Sequence, residues 1–181
     1  MNDFLALTEK RRSCRSYDPA KDIPDSSLEY CLQAARMAPS ACNRQPWHFY
    51  VVRDKERKHQ LITKGLLPGI QHDWLNNAPC LVVLSVTPET VTHRLARFVS
   101  GIPYHFIDAG IAGEHFVLAA AEQNLGTCWI GWIHEKNIKK LLLFKKRQRV
   151  VAMIAAGYPA DPDFFSSSRS TGRKELSDIS S

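Results

Sequence analysis

A chain of 181 residues, 44% hydrophobic and 23% charged, is long enough for one domain with a filled core and too apolar for a disordered polymer. Its net charge of +6 attracts anions without choosing among nucleic acid, a phosphorylated cofactor and no specific partner. Five scattered cysteines, Cys14, Cys31, Cys42, Cys80 and Cys128, show no C-x-x-C spacing, which argues against a disulfide framework or a zinc site and for a reducing cytoplasm.

In chain order, MNDFLALTEKR lacks the apolar region of a signal peptide. Instead Phe4, Leu5 and Leu7 predict a short amphipathic helix that ends at an arginine cluster, RRSCRSYD (11–18). Ser26 and Glu29 stand at capping-box spacing, and Leu28, Cys31, Leu32 and Ala35 recur at helical spacing until Pro39 ends the run. A loop, PSACNRQP, leads to the aromatic and β-branched WHFYVV, a strand. DKERKHQLITKG reads as a helix, and CLVVLSV as a strand apolar enough to be buried on both faces. The stretch 87–105 is weakly patterned and reads as loop or lid.

Residues 108–124 predict a long helix that is apolar nearly all round, with Gly126 as its C-cap; such a helix needs burial on every side, and hence a dimer interface as well as a core. Asp108, Glu114 and His115 make this region too polar to span a membrane. A strand at 127–133, a basic helix EKNIKKLLLF, a strand at 150–157 and a serine-rich tail complete the chain. Strands and helices alternate loosely around one sheet, an α+β or α/β arrangement.

Several chemistries lack their residues. The seven histidines have no ligand spacing, and there is no G-x-S-x-G, P-loop or G-x-G-x-x-G. The seven Lys and Arg between 136 and 149 alternate with Ile138, Leu141, Leu142 and Phe144, the pattern of a solvated amphipathic face rather than a nucleic-acid patch.

The arginine cluster does not stand alone. RRSCRSYD, followed by a helix ending in APSACNRQPWHF, resembles the N-terminal signature of the nitroreductase-like flavoprotein family. IDAGIAGEHFVLAAAEQNLGTCWIGWI is similar to that family's central helix and following strand, and VVAMIAAGYP to its last sheet strand. The resemblance spans roughly residues 3–160 in order. It implies an α+β fold with a central, mainly antiparallel sheet flanked by helices in an intertwined homodimer. Residues 1–160 would form the flavin mononucleotide (FMN) domain, and 161–181 a tail on the partner. It also implies oxidation of NADH or NADPH and ping-pong reduction of electron-poor acceptors such as nitroaromatics or quinones, with no metal, nucleic acid or membrane involved. Alternatives on the same fold are dehalogenation, dehydrogenation, flavin fragmentation or flavin binding without catalysis.

By the same resemblance, Arg11 and Ser13 would hold the FMN phosphate with Arg173 of the tail, although Thr171 stands where a second tail cation is common. Arg12 occupies a position that is histidine in some relatives. Arg15 would face N1 and O2 of the ring, where negative charge gathers on reduction. Ile130 and Gly131 would bring backbone N–H groups to N5. Pro39, Ser40, Ala41 and Asn43 would reach the flavin held mainly by the partner, with Gln45 adding a polar contact. No side chain is required as a general acid. Substrate choice would lie in 64–77 and 87–105; Trp74, Tyr104, His105 and Phe106, in or beside these stretches, could stack on a substrate or simply pack.

Overall fold

The structure, a computed structural model, describes residues 4–69, 72–88, 101–166 and 172–180. Among these residues four strands, β1 (Trp47–Val52), β2 (Cys80–Val86), β3 (Gly126–Ile130) and β4 (Arg149–Gly157), form one antiparallel sheet in the order β1-β2-β4-β3. Five α-helices cover it: α1 (Phe4–Lys10), α2 (Asp25–Arg36), α3 (Lys55–Lys64), α4 (Tyr104–Glu122) and α5 (Glu135–Leu141). The class is α+β, as the sequence suggests.

β2 is buried at every position, and the alternation of its side chains explains why helices lie on both faces. Val82, with Ile154 of β4, joins Leu28, Cys31, Phe116 and Val117 under α2 and α4. Leu81 and Val83, with Met153, join Leu61, Leu75 and Ile138 under α3 and α5. Each such large aliphatic side chain taken from water contributes about 1.5–3 kcal/mol before ordering costs. Phe49 of β1 stacks on Phe116 of α4 with centroids 5.6 Å apart. Gly113 lets α4 lie directly against the Trp129 ring, in space that a Cβ would need.

Several boundaries differ from the sequence expectation. α2 begins at Asp25 behind Pro24, whose carbonyl accepts from Ser27 and Leu28 N–H at 3.0 and 3.3 Å; Ser26 is already inside the first turn and no side chain caps the helix. The cap position is therefore Pro24, two residues before the Ser26 expected from the sequence. Asp25 instead pairs with Arg53, which also holds Asp22 at 2.7 Å. α4 starts four residues early, at Tyr104, and its left-handed stop is Asn124 (φ 61°), not Gly126, which opens β3. β3 ends at Ile130 rather than 133, and the helix in the basic run ends at Leu141.

Nor is α4 buried all round within the described chain. Asp108, Ala109, Ala112, Gly113, Phe116, Val117 and Ala119–Ala121 face inward. Ile107 (48% exposed), Gly110, Ile111, Glu114 and Leu118 form a less covered stripe.

Candidate functional site

After α1 the chain straightens and joins the open edge of β3. Ser13 makes a parallel bridge to Thr127, and Cys14 N–H donates to the Thr127 carbonyl at 2.8 Å. Further on, Tyr17 bridges Pro159, and Asp18 and Ala160 N–H groups donate to Tyr158 and Ser16 carbonyls at 2.9 and 3.1 Å. The buried Tyr17 hydroxyl closes the turn by donating to the Cys14 carbonyl at 3.0 Å. Alternation in this extended segment buries Cys14 and leaves Ser13 and Arg15 exposed. The approach is close enough to require glycine: a Cβ on Gly126 would lie 2.7 Å from Cys14 Cβ.

The four cations near this segment have separate surroundings. Lys10 Nζ donates to Asn124 Oδ1 at 2.9 Å. Arg11 Nε lies 3.5 Å from Glu114 Oε1 on α4. The Arg12 guanidinium sits over the Phe164 ring at 4.5 Å, fastening the 161–166 turn to the body of the chain. Arg15 stands beside β3: burial pushes the Cys128 thiol up, while the Arg15 guanidinium and a hydrogen bond with Ser13 act against that rise. Burial likewise raises the Glu114 carboxyl above the usual range, opposed by Arg11, Arg173 and His115. Arg11 and the tail's Arg173 thus act on one carboxylate.

A second structure lies in the loop before β1. Cys42, Asn43 and Gln45 all have positive φ, at 54°, 52° and 49°. Each such non-glycine residue costs of order 1–3 kcal/mol and persists only where its surroundings enforce it. Here Ala41 N–H donates to Asp108 Oδ1 at 3.0 Å, and Gln45 N–H donates to Ser40 Oγ at 2.9 Å. Gln45 Nε2 also donates to the Asn43 carbonyl and side chain. Ser40, Asn43 and Gln45 are therefore engaged in shaping the loop. Pro39 is exposed at its start.

At the end of β3, Ile130 is buried, while Gly131 is exposed, with no atom within 4 Å of the point where a Cβ would stand. The next residues pair with 65–68: Leu66 bridges Ile133, and Trp132 Nε1 donates to the Pro68 carbonyl at 2.9 Å, leaving that indole 51% exposed. Trp74 is half-buried and packs against the core, its ring 6.1 Å from that of Tyr17. Tyr104, His105 and Phe106 form the first turn of α4, and Phe106 packs beside Leu84 and Val86. Of the expected lid, 70–71 and 89–100 lie outside the described residues.

Residues 8–158 match the Nitroreductase family. The chain belongs to the nitroreductase family. It is 32% identical over 173 residues, 91% of each chain, to an Archaeoglobus fulgidus protein provisionally named NADH dehydrogenase/NAD(P)H nitroreductase. It is 26% identical over 171 residues, 90% of this chain and 91% of the other, to the iodotyrosine deiodinase of Thermotoga neapolitana. An FMN-dependent nitroreductase structure from Clostridium difficile superposes with a TM-score of 0.69 at 27% identity, covering 87% of this chain and 88% of that one.

Within this nitroreductase-family chain, the strip at 11–15 and the end of β3 share one strand edge. Three residues beside the candidate site carry no sequence signal that selects them: Asp108, Glu114 and Trp132. The first two are legible only as polar interruptions of an apolar helix, and Trp132 as one aromatic in a strand. Among the described residues no His, Cys, Asp or Glu group could hold a metal, and no helix is long and apolar enough to cross a membrane.

Proposed function

We propose that the protein is an FMN-dependent oxidoreductase that draws reducing equivalents from NADH or NADPH and passes them to electron-poor small molecules such as nitroaromatics or quinones. The observation that carries this reading is that Ser13 and Arg15 stand exposed on a segment fixed to β3, the strand whose end opens at Gly131. The donor set fits FMN: a guanidinium and a hydroxyl, Arg11 and Ser13, suit a phosphate, with Arg173 as a further cation. When bound, FMN supplies hydride acceptance from the nicotinamide and hydride donation to the acceptor.

The chain's own residues bind and orient. Arg15 offers a fixed positive charge to the pyrimidine edge of the ring, where negative charge collects on reduction. Gly131, lacking a side chain, allows Ile130 and Gly131 backbone to approach the ring closely. The loop of Pro39, Ser40, Ala41, Asn43 and Gln45 would meet the partner's flavin in a homodimer built on the α4 stripe. Residues 1–160 would form the working domain. Leu176 and Ile179, both exposed, would give the tail its grip on the partner. Arg12, held over Phe164, would act on the site through the fold. No protein acid is assigned, and five free cysteines suit a reducing cytoplasm.

A second reading, reductive dehalogenation, is favoured by the likeness to a deiodinase along 90% of the chain. An absorption spectrum before and after anaerobic addition of NADH or NADPH tests the first reading. Flavin bands that bleach are expected; absence of flavin after incubation with FMN would sink it. Bands that bleach, followed by faster reoxidation with iodotyrosine than with nitroaromatics or quinones, would select the second.

A further inference from the structure

Arg11, near the start of the chain, lies 3.5 Å from the Glu114 carboxylate on α4, and the charge of Arg173, in the tail, also opposes the rise that burial imposes on that carboxyl. The pair is partly covered, with side-chain exposures of 20% for Arg11 and 46% for Glu114. At 3.5 Å between Arg11 Nε and Glu114 Oε1 it is an ion pair without a hydrogen bond of good geometry, the kind that contributes little to folding. Its chemistry is more informative. A carboxylate and a phosphate make the same demand on a guanidinium, so they compete for it. Glu114 also carries a desolvation cost, since burial raises its carboxyl above the ordinary range. A glutamine of the same shape would not carry that cost.

We propose that Glu114 is an internal counter-anion that engages Arg11, a proposed phosphate-binding cation, until the flavin phosphate displaces it, and so sets the affinity and phosphate selectivity of the cofactor site. This rests on the proposed FMN role of Arg11 and Arg173. FMN binding would then draw the Arg11 guanidinium from Glu114 toward the phosphate and bring a dianion close to a fixed negative charge. Riboflavin, the same ring and ribityl chain without the phosphate, meets neither penalty. Glu114 is therefore a discriminator against phosphate strength, acting through Arg11 rather than through contact with the ring.

The test compares FMN and riboflavin affinities, by quenching of flavin fluorescence, for the full-length apoprotein, Glu114→Gln and Glu114→Asp. Glu114→Gln is expected to bind FMN about five- to tenfold tighter, the size expected for removing one partly screened charge beside a dianion, with riboflavin affinity unchanged. The gain should shrink at high salt. Glu114→Asp, which keeps the charge, should keep the wild-type ratio and shows that the position tolerates change. Weaker or equal FMN binding in Glu114→Gln, or a parallel shift for both flavins, overturns the proposal; weaker binding would make Glu114 an orienter of Arg11. A wild-type protein that binds neither flavin would overturn the FMN reading itself, a failure visible before any variant is compared.

Discussion

The Ala41 N–H donates to the Asp108 carboxylate at 3.0 Å, joining a loop with three positive-φ residues to the first half of α4. Asp108 is only 5% exposed on a helix whose other inward residues are apolar. Asp108→Ala leaves the Ala41 N–H without this acceptor and the loop without an anchor. Destabilisation of about 1–3 kcal/mol is expected in urea unfolding, with much of it recovered in Asp108→Asn, whose amide oxygen can still accept. A wild-type midpoint for Asp108→Ala would show that the loop is held by its internal bonds alone.

Gly126 is the contact through which the arginine strip reaches the sheet. Gly126→Ala places a methyl 2.7 Å from Cys14 Cβ, with Pro159 Cγ at 3.0 Å on the other side. Because these are neighbours fixed by backbone pairing, the expected cost is about 1–3 kcal/mol. Hydrogen exchange should rise at the Cys14 amide before it rises in β2. Uniform exchange behaviour would separate the strip's docking from this glycine.

Arg15→Met tests the electrostatic role proposed for that guanidinium. The midpoint potential of the bound flavin should fall, and reduction by NADH should slow by about tenfold or more, with affinity only partly weakened. An unchanged potential would remove Arg15 from the ring.

Glu135 provides a check on acid stability. Burial alone would raise its carboxyl, but hydrogen bonds from Arg149 (2.8 Å) and Val150 N–H (3.1 Å) outweigh it and hold the group below the usual glutamate range. A carboxyl that holds its proton less tightly folded than unfolded adds stability above the unfolded value of about 4.3, and loses it as pH falls through the lower folded value. Glu135→Gln should therefore be less stable than wild type at pH 7, by about 1 kcal/mol or less, and the difference should close as pH falls through the lowered folded value. Parallel melting curves across that range would show that the bonds carry no net stabilisation.

Legibility in the sequence follows locality. The apolar run of β2, interrupted only by Ser85, and the spacing of Leu28, Cys31, Leu32 and Ala35 reveal a buried strand and an inward helix face, because adjacent residues decide both. The start of α2 differs from expectation because Pro24 competes with Ser26, and the stop of α4 because Asn124 can take the left-handed conformation expected of glycine. The cations proposed for the site come from the sequence, but how they divide among partners does not. Whether an arginine faces Phe164, Glu114 or Cys128 depends on partners more than a hundred residues away, and no periodicity records that. Asp108 is hidden for the same reason: its partner is a backbone N–H, which every residue but proline possesses.

The zipper that carries residues 13–18 past β3 to residues 158–160 also sets an order of events in synthesis. Its N-terminal half leaves the ribosome first and has nothing to dock on until β3 and then the end of β4 have followed. The proposed cofactor strip, among the earliest residues made, is thus completed only after some 160 residues have emerged. Such widely separated partners delay closure, so a nascent chain would present its arginines to solvent for most of translation. On the proposed reading, loading of a phosphorylated cofactor would belong to the end of folding rather than to its nucleus.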